Sequence, residues 1–319
     1  MGKNEYSEKA VDILQSMLDT GNFDEKLFYR VLDSFKEIPI VSIKPNPENR
    51  IIRSSTSSET ESIFLGKVAR LSYPPKEYAG LARANRKGQP MFYGSVFLKF
   101  DEEEKLYSIP PHIISAMETS HIFKDYERKG KVFITHSTWK ASRQLNLLLL
   151  PSSRMWMYPS VEMKLLMDFT QNNVVLRQLY SAEEYRFGFF LGDLMARPAY
   201  SCLYEITSRV TDYLLSKPGY ADVYDGIAYP STKSEGNGFN VCLKPSVVDE
   251  CLGFESASVA MIERDEKHAN EYHVADAVRQ SDDSLKWKVS GSGISCIANE
   301  LGLQDLADPS IINIEVENY

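Results

Sequence analysis

The sequence predicts an α+β fold, and three observations carry that expectation. Helical and strand-like segments come in unequal runs, without the regular alternation of a doubly wound sheet. No glycine-rich phosphate loop joins a strand to a helix: "GSGISC" (291–296) lacks both the lysine and the preceding strand that such a loop needs. The 319-residue chain, 43% hydrophobic and 25% charged, has globular proportions and can bury a full core in one large domain or two.

The first sixty residues read as a helical extension. Ala10, Ile13, Leu14, Met17 and Leu18 recur at the spacing of one helix face, and Leu27, Phe28, Val31, Leu32 and Phe35 form a second set behind Asp24 as N-cap. "RSSTSSETES" (53–62) is nearly free of apolar residues and reads as a loop or linker, which sets a boundary between 1–60 and a domain over 61–319. The candidate chemistry begins after it.

"KVARLSY" and "PMFYGSVFLKF" follow as strand candidates with "NRKGQP" as the turn between them. "SIPPHIISAMETSHIF" opens with prolines suited to a first helical turn and continues at helical period, which puts Glu118 on a helix. "GKVFITHSTW" is a further strand. A helical insert comes next: Ser160 as cap of "VEMKLLMDF", then the S-x-x-E capping box of Ser181 and Glu184 ahead of a helix that Pro198 ends or bends, then "YSCLYEITSRVTDYLLSK". "YDGIAYPS" and "NGFNVCLKP" are short strands joined by a loop, and "ASVAMIE", "EYHVADAV" and "LKWKVS" form a β-rich C-terminal extension.

A net charge of -8 argues against broad nucleic-acid binding, which needs a basic face, but it permits a local cationic pocket. The longest apolar run, "LNLLLLP", is too short to span a bilayer, and nothing reads as a signal peptide, so a cytoplasmic protein off the membrane is expected. Cys202, Cys242, Cys251 and Cys296 form no C-x-x-C pair and are expected to be reduced and partly buried. The five histidines show no metal-ligand spacing and are read as structural or exposed, so no metal is expected.

"LARANRKGQPMFY" gathers cations ahead of an aromatic strand in an otherwise acidic chain, and it resembles the core signature of the RES-domain family. Arg83, Asn85, Gly88, Pro90 and Tyr93 fall on the positions of that signature. "SAMETS" is similar to the family's glutamate helix, at Glu118, and "DGIAYPSTKSEGNGFNVCL" to its closing strand-loop-strand, with the family serine at Ser231 and Asn240 in the second strand. The resemblance runs from about 70 to 252. The chain departs from the family in carrying Ala82 and Ala84 around Arg83 where the family has Gly and Trp, in the lengthened interval before Glu118, and in the long helical insert.

The resemblance implies an ADP-ribosyltransferase-like mixed β core and an enzyme that takes NAD as substrate, breaking its nicotinamide–ribose bond with water or phosphate as acceptor. Arg83 suits the pyrophosphate because guanidinium pairs with phosphate oxygens, and Arg70 offers a second phosphate contact. Tyr93 offers a face for the cationic ring that leaves, with Asn85 and Asn240 also in the binding set. Glu118 is the candidate carboxylate that stabilises an oxocarbenium-like ribose, and Ser231 orients the ribose or the glutamate. Taken singly, each residue has a plainer reading: Arg83 in a solvated turn, Tyr93 as half-buried core, Glu118 facing solvent and Ser231 in a turn. Transfer of ADP-ribose to a protein or nucleotide, and a non-catalytic binding module on the same fold, stay open. The family also implies a toxin held in check by an antitoxin-like inhibitory partner. Residues 1–60 and the helical insert are then extra material that covers the cleft or builds a homo-oligomer.

Overall fold

The structure, a computed structural model, describes residues 3–57, 61–96, 109–124, 129–153, 178–234, 238–266, 268–301 and 311–314. Ser160, "VEMKLLMDF" and the acidic segment before Glu118 lie outside them. The fold is α+β, with an eleven-stranded, mostly antiparallel sheet among the described residues.

The chain opens with helices α1 (Lys3–Glu8), α2 (Ala10–Thr20) and α3 (Glu25–Leu32), the last capped by Asp24 as expected, and continues into strands β1 (Val41–Ile43) and β2 (Ile51–Thr56). β3 (Phe92–Val96), α4 (Pro111–Thr119), α5 (His121–Lys124), β4 (Gly130–Ala141) and β5 (Leu147–Leu149) follow. Then come α6 (Ala182–Met195), α7 (Leu203–Ser216), β6 (Gly226–Pro230), β7 (Phe239–Leu243) and α8 (Pro245–Cys251). The chain closes with β8 (Leu252–Arg264), β9 (Ala269–Arg279), β10 (Leu285–Val289), α9 (Gly291–Glu300) and β11 (Ile311–Ile314). Across the sheet the order is β1-β5-β6-β7-β3-β2-β4-β8-β9-β10-β11, with β5–β6 and β10–β11 parallel.

Alternation along the strands divides the interior between the two faces. Leu147 and Leu149 of β5, and Phe239, Val241 and Leu243 of β7, belong to one core with Trp287. Leu148 and Cys242 belong to the other, which α2, α3, α6 and α7 complete through Leu14, Phe28, Phe187 and Ile206. The N-terminal helices therefore close the second core together with the helices of the insert. The Ser181–Glu184 capping box that starts α6 forms as expected, and Glu184 Oε1 also accepts from Glu37 N at 3.1 Å, tying the insert to the N-terminal region.

Three expectations are corrected. "KVARLSY" is a 3₁₀ turn over Val68–Leu71, anchored by Val68 N on Asp283 O at 3.0 Å, because its only ladder contact among the described residues is the isolated bridge of Lys67 with Ser284. The first four residues of "RSSTSSETES" are strand: β2 pairs with β4 from Ile51↔Trp139 to Thr56↔Ile134, and that ladder supplies the partners that polar composition alone does not suggest. The boundary drawn at residue 60 thus falls just after a central strand. "GSGISC" does have a strand before it, β10, but it forms α9 behind a Ser290 N-cap and carries no lysine.

No helix among the described residues is long and apolar enough to cross a membrane. All four cysteines are free, three of them buried, as expected.

Between β2 and β3 the sheet opens. Among the described residues the pair is held only at Ile51↔Val96 and Ile52↔Ser95, where Gly94 lets the strands approach: a Cβ there would stand 2.5 Å from Ile51 Cγ2 and 3.1 Å from Ile52 O. Gly94→Ala should cost about 1–3 kcal/mol by overpacking. Gly80→Ala, where nothing lies within 4 Å of the new methyl, should change stability by less than about 0.5 kcal/mol. Urea melts of both variants check the pair.

Candidate active site

Where β2 and β3 part, backbone groups lose their ladder partners, and side chains replace them. Ser54 N donates to Ser115 Oγ at 2.7 Å, and Thr119 Oγ1 donates to Ser54 O at 3.4 Å. Arg53 Nη1 donates to Tyr93 O at 2.9 Å. Ser115 and Thr119 both belong to α4, so the opened ladder fixes that helix. The loop before β7 also presses on it: Gly238 has φ +148, and a Cβ there would lie 2.1 Å from Ile114 Cδ1.

The last turn of α4 carries Glu118. Its Oε1 accepts from Ser231 Oγ at 2.8 Å and from Asn240 Nδ2 at 2.9 Å, while Oε2 accepts no hydrogen bond among the described residues. Asn240 Oδ1 accepts in turn from Ser95 Oγ at 2.9 Å, and Ser231 Oγ accepts from Ser234 N at 3.3 Å. Ser231, Asn240 and Ser95 are buried, and Glu118 is half-buried. One carboxylate oxygen is thus clamped by two buried donors and the other is left open.

Strand register explains the convergence. Tyr229, Asn240 and Ser95 form one cross-strand row over β6, β7 and β3, and Ile227, Cys242 and Tyr93 form the next. Burial above all, then Cys242 and Glu118, hold the Tyr229 phenol well above the usual range, with Arg83, 5.7 Å from its ring, opposing them.

The other residues singled out in the sequence support the walls. Arg83 is buried, with Nη1 donating to Met195 O at 3.1 Å and Leu194 O at 3.3 Å, and with its guanidinium 5.4 Å and 5.7 Å from the Tyr204 and Tyr229 rings. It therefore caps the C-terminus of α6, where carbonyls and helix dipole favour a cation. Tyr93 does not present a free platform. Its hydroxyl donates to Asn85 Oδ1 at 2.6 Å and accepts from Ala84 N at 3.1 Å, and its ring packs against the second core. Asn85 Nδ2 donates to Gly80 O at 2.7 Å, so this phenol and amide set the loop that delivers Arg83. Arg70 sits on the 3₁₀ turn, not on a strand, and pairs with Glu61 through Nε–Oε1 at 2.7 Å and Nη2–Oε2 at 2.9 Å.

The structure adds Ser95, Tyr229 and Arg53 to the residues read from the sequence. Ser95 was readable from the alternation of "FYGSV", which puts it on the face of Tyr93. Arg53 opens the serine-rich stretch whose composition reads as a linker.

Behind β2, His136 Nδ1 meets Ser54 Oγ at 2.9 Å, while Nε2 is buried 3.6 Å from Glu271 Oε1, beyond hydrogen-bond reach, with His112 against the ring. Burial first, then His112, lowers its pKa from 6.5 to about 3. His112 Nε2 stands 3.7 Å from Glu271 Oε2, but no group of three or more potential metal ligands occurs among the described residues.

The geometry defines an α+β protein whose sheet is opened to seat a clamped carboxylate. No protein-family model matches the sequence, and no curated protein matches it.

Tyr93→Phe should cost about 1–3 kcal/mol in urea melts, because Asn85 Oδ1 and Ala84 N lose a buried partner. His136 gives a pH dependence. The folded protein keeps it neutral, whereas the unfolded chain takes up a proton below about 6.5. The unfolded state therefore binds more protons, and stability falls as pH drops from about 6.5 towards 3, by about 1.4 kcal/mol per unit from this group. His136→Asn, which keeps a partner for Ser54, should flatten that slope by about one proton.

Proposed function

We propose that the protein cleaves the nicotinamide–ribose bond of NAD, with water or phosphate as acceptor. The observation that carries this reading is the clamp on Glu118: Ser231 and Asn240, both more than a hundred residues away in sequence, hold one carboxylate oxygen, Ser95 backs Asn240, and the other oxygen accepts no hydrogen bond among the described residues. A carboxylate so held suits a reaction in which positive charge develops on a ribose, since its position is set before the charge appears. Ser231 and Asn240 act as positioning residues through their bonds to Oε1.

The step balances without a metal or redox partner. The C–N bond breaks with its electron pair passing to the cationic ring, which leaves as neutral nicotinamide. Water or phosphate then bonds to the ribosyl carbon, and water gives up a proton. Arg83 and Tyr93 contribute in this reading mainly by holding the wall next to Tyr229, a smaller share of ligand contact than the family resemblance implies.

Purified protein incubated with NAD should release nicotinamide, and the partner product, ADP-ribose or its 1-phosphate, identifies the acceptor. Glu118→Gln keeps the shape and loses the charge, so turnover should fall by about a hundredfold or more with folding intact. Wild-type turnover in a folded Glu118→Gln protein would falsify the assignment.

A further inference from the structure

An amide side chain has two ends of nearly equal shape and opposite chemistry, a donating NH₂ and an accepting oxygen, and a half-turn exchanges them. Asn240 serves Glu118 in only one of those states. Its Nδ2 donates to Glu118 Oε1 at 2.9 Å, whereas the reversed amide would set Oδ1 against a carboxylate oxygen, two acceptors with no proton between them. The far end of the side chain helps decide. There Oδ1 accepts from Ser95 Oγ at 2.9 Å, and that hydroxyl makes no other hydrogen bond among the described residues. Ser95 and Asn240 are 1% and 4% exposed, which leaves water little room to stand in for either partner.

A serine hydroxyl both donates and accepts, so Ser95 alone would fit either end of the amide. Glu118 removes that freedom, since its carboxylate only accepts. One direction is then consistent along the whole chain: Ser95 donates to Asn240, and Asn240 donates to Glu118. Without the Ser95 proton the same direction leaves Oδ1 buried and unpaired, and the amide is drawn away from the clamp. Strand register puts the hydroxyl where it is needed. Ser95 stands opposite Asn240 in the β3–β7 ladder and opposite Ile52 in the last β2–β3 pair before the sheet opens, so its backbone is held on both sides. The family resemblance implies no role for this residue.

We infer that Ser95 is a positioning residue for the cleavage proposed above: its hydroxyl keeps the NH₂ end of Asn240 on Glu118 and so preserves the second donor to Oε1. Its effect on turnover rests on that reading, whereas the direction of the amide belongs to the protein without NAD and is measured on its own.

Proton exchange at the Asn240 side-chain amide, followed by NMR in the ligand-free full chain and assigned by its loss in Asn240→Ala, is the first measurement. In Ser95→Ala those protons should exchange at least about tenfold faster than in wild type, and in Ser95→Thr, which keeps the hydroxyl, they should match it. Nicotinamide release is the second. Ser95→Ala should lower kcat about tenfold and leave KM within about twofold, because the clamp is set for charge that develops only as the bond breaks. Added to Asn240→Ala, Ser95→Ala should lower kcat no further, since both changes remove the same donor. If Ser95→Ala does not fold, Ser95→Cys, which fills the site with a weak donor, carries the same expectations. Unchanged amide exchange in the folded variant, or an equal loss of kcat with and without Asn240, overturns the role of Ser95. If wild type releases no nicotinamide, the NAD reading falls and amide exchange alone decides, faster exchange in Ser95→Ala supporting the role and equal exchange overturning it.

Discussion

The opening of the ladder between β2 and β3 is the constraint on which the site is built. A strand in mid-sheet that loses its neighbour exposes amide and carbonyl groups, each costing about 1–3 kcal/mol if buried without a partner. Here β2 stays paired with β4 throughout, and at the gap Ser54 N, Ser54 O and Tyr93 O are taken up by Ser115, Thr119 and Arg53. Two of those three belong to α4. The same bonds that repair the sheet therefore lock the helix whose last turn presents Glu118.

A second constraint comes from strand alternation. β6, β7 and β3 bury apolar residues on both faces, and on the helical side the row of Tyr229, Asn240 and Ser95 brings polar groups into the layer. A buried polar row is tolerable only if its members satisfy one another, and the chain Ser95–Asn240–Glu118–Ser231 does so across β3, β7, α4 and the loop after β6. The helical layer is held to this row by Arg83, which ends α6 and stacks near Tyr229, and by Tyr93, which fixes the loop that carries Arg83.

Much of this was legible in the sequence because the signals were local. Asp24 and the Ser181–Glu184 box are caps whose geometry spans only a few residues, and both form. The α4 helix begins at its prolines, and the aromatic and β-branched runs around Tyr93 and Asn240 became strands. What could not be read depends on partners remote in the chain. Arg53 and Ser54 sit in a serine-rich stretch that looks like linker until β4 supplies the ladder. "VARL" has the composition of a strand and no strand beside it beyond one bridge. The jobs of Arg83 and Tyr93 were hidden for the same reason, since a helix end more than a hundred residues away decides where Arg83's donors go. Glu118, Ser231 and Asn240 were named together from the family-like blocks, but their hydrogen bonds are a fact of the fold alone.

The most direct measurement is a crystal structure of Glu118→Gln with NAD bound, a variant that keeps the shape of the clamp while removing the charge. The geometry predicts the ribose carbon that bears nicotinamide next to the open oxygen position of residue 118, with Ser231 and Asn240 still on its partner atom and the β2–β3 opening unchanged. A dinucleotide seated elsewhere on the protein, or a closed β2–β3 ladder with α4 displaced, would contradict it.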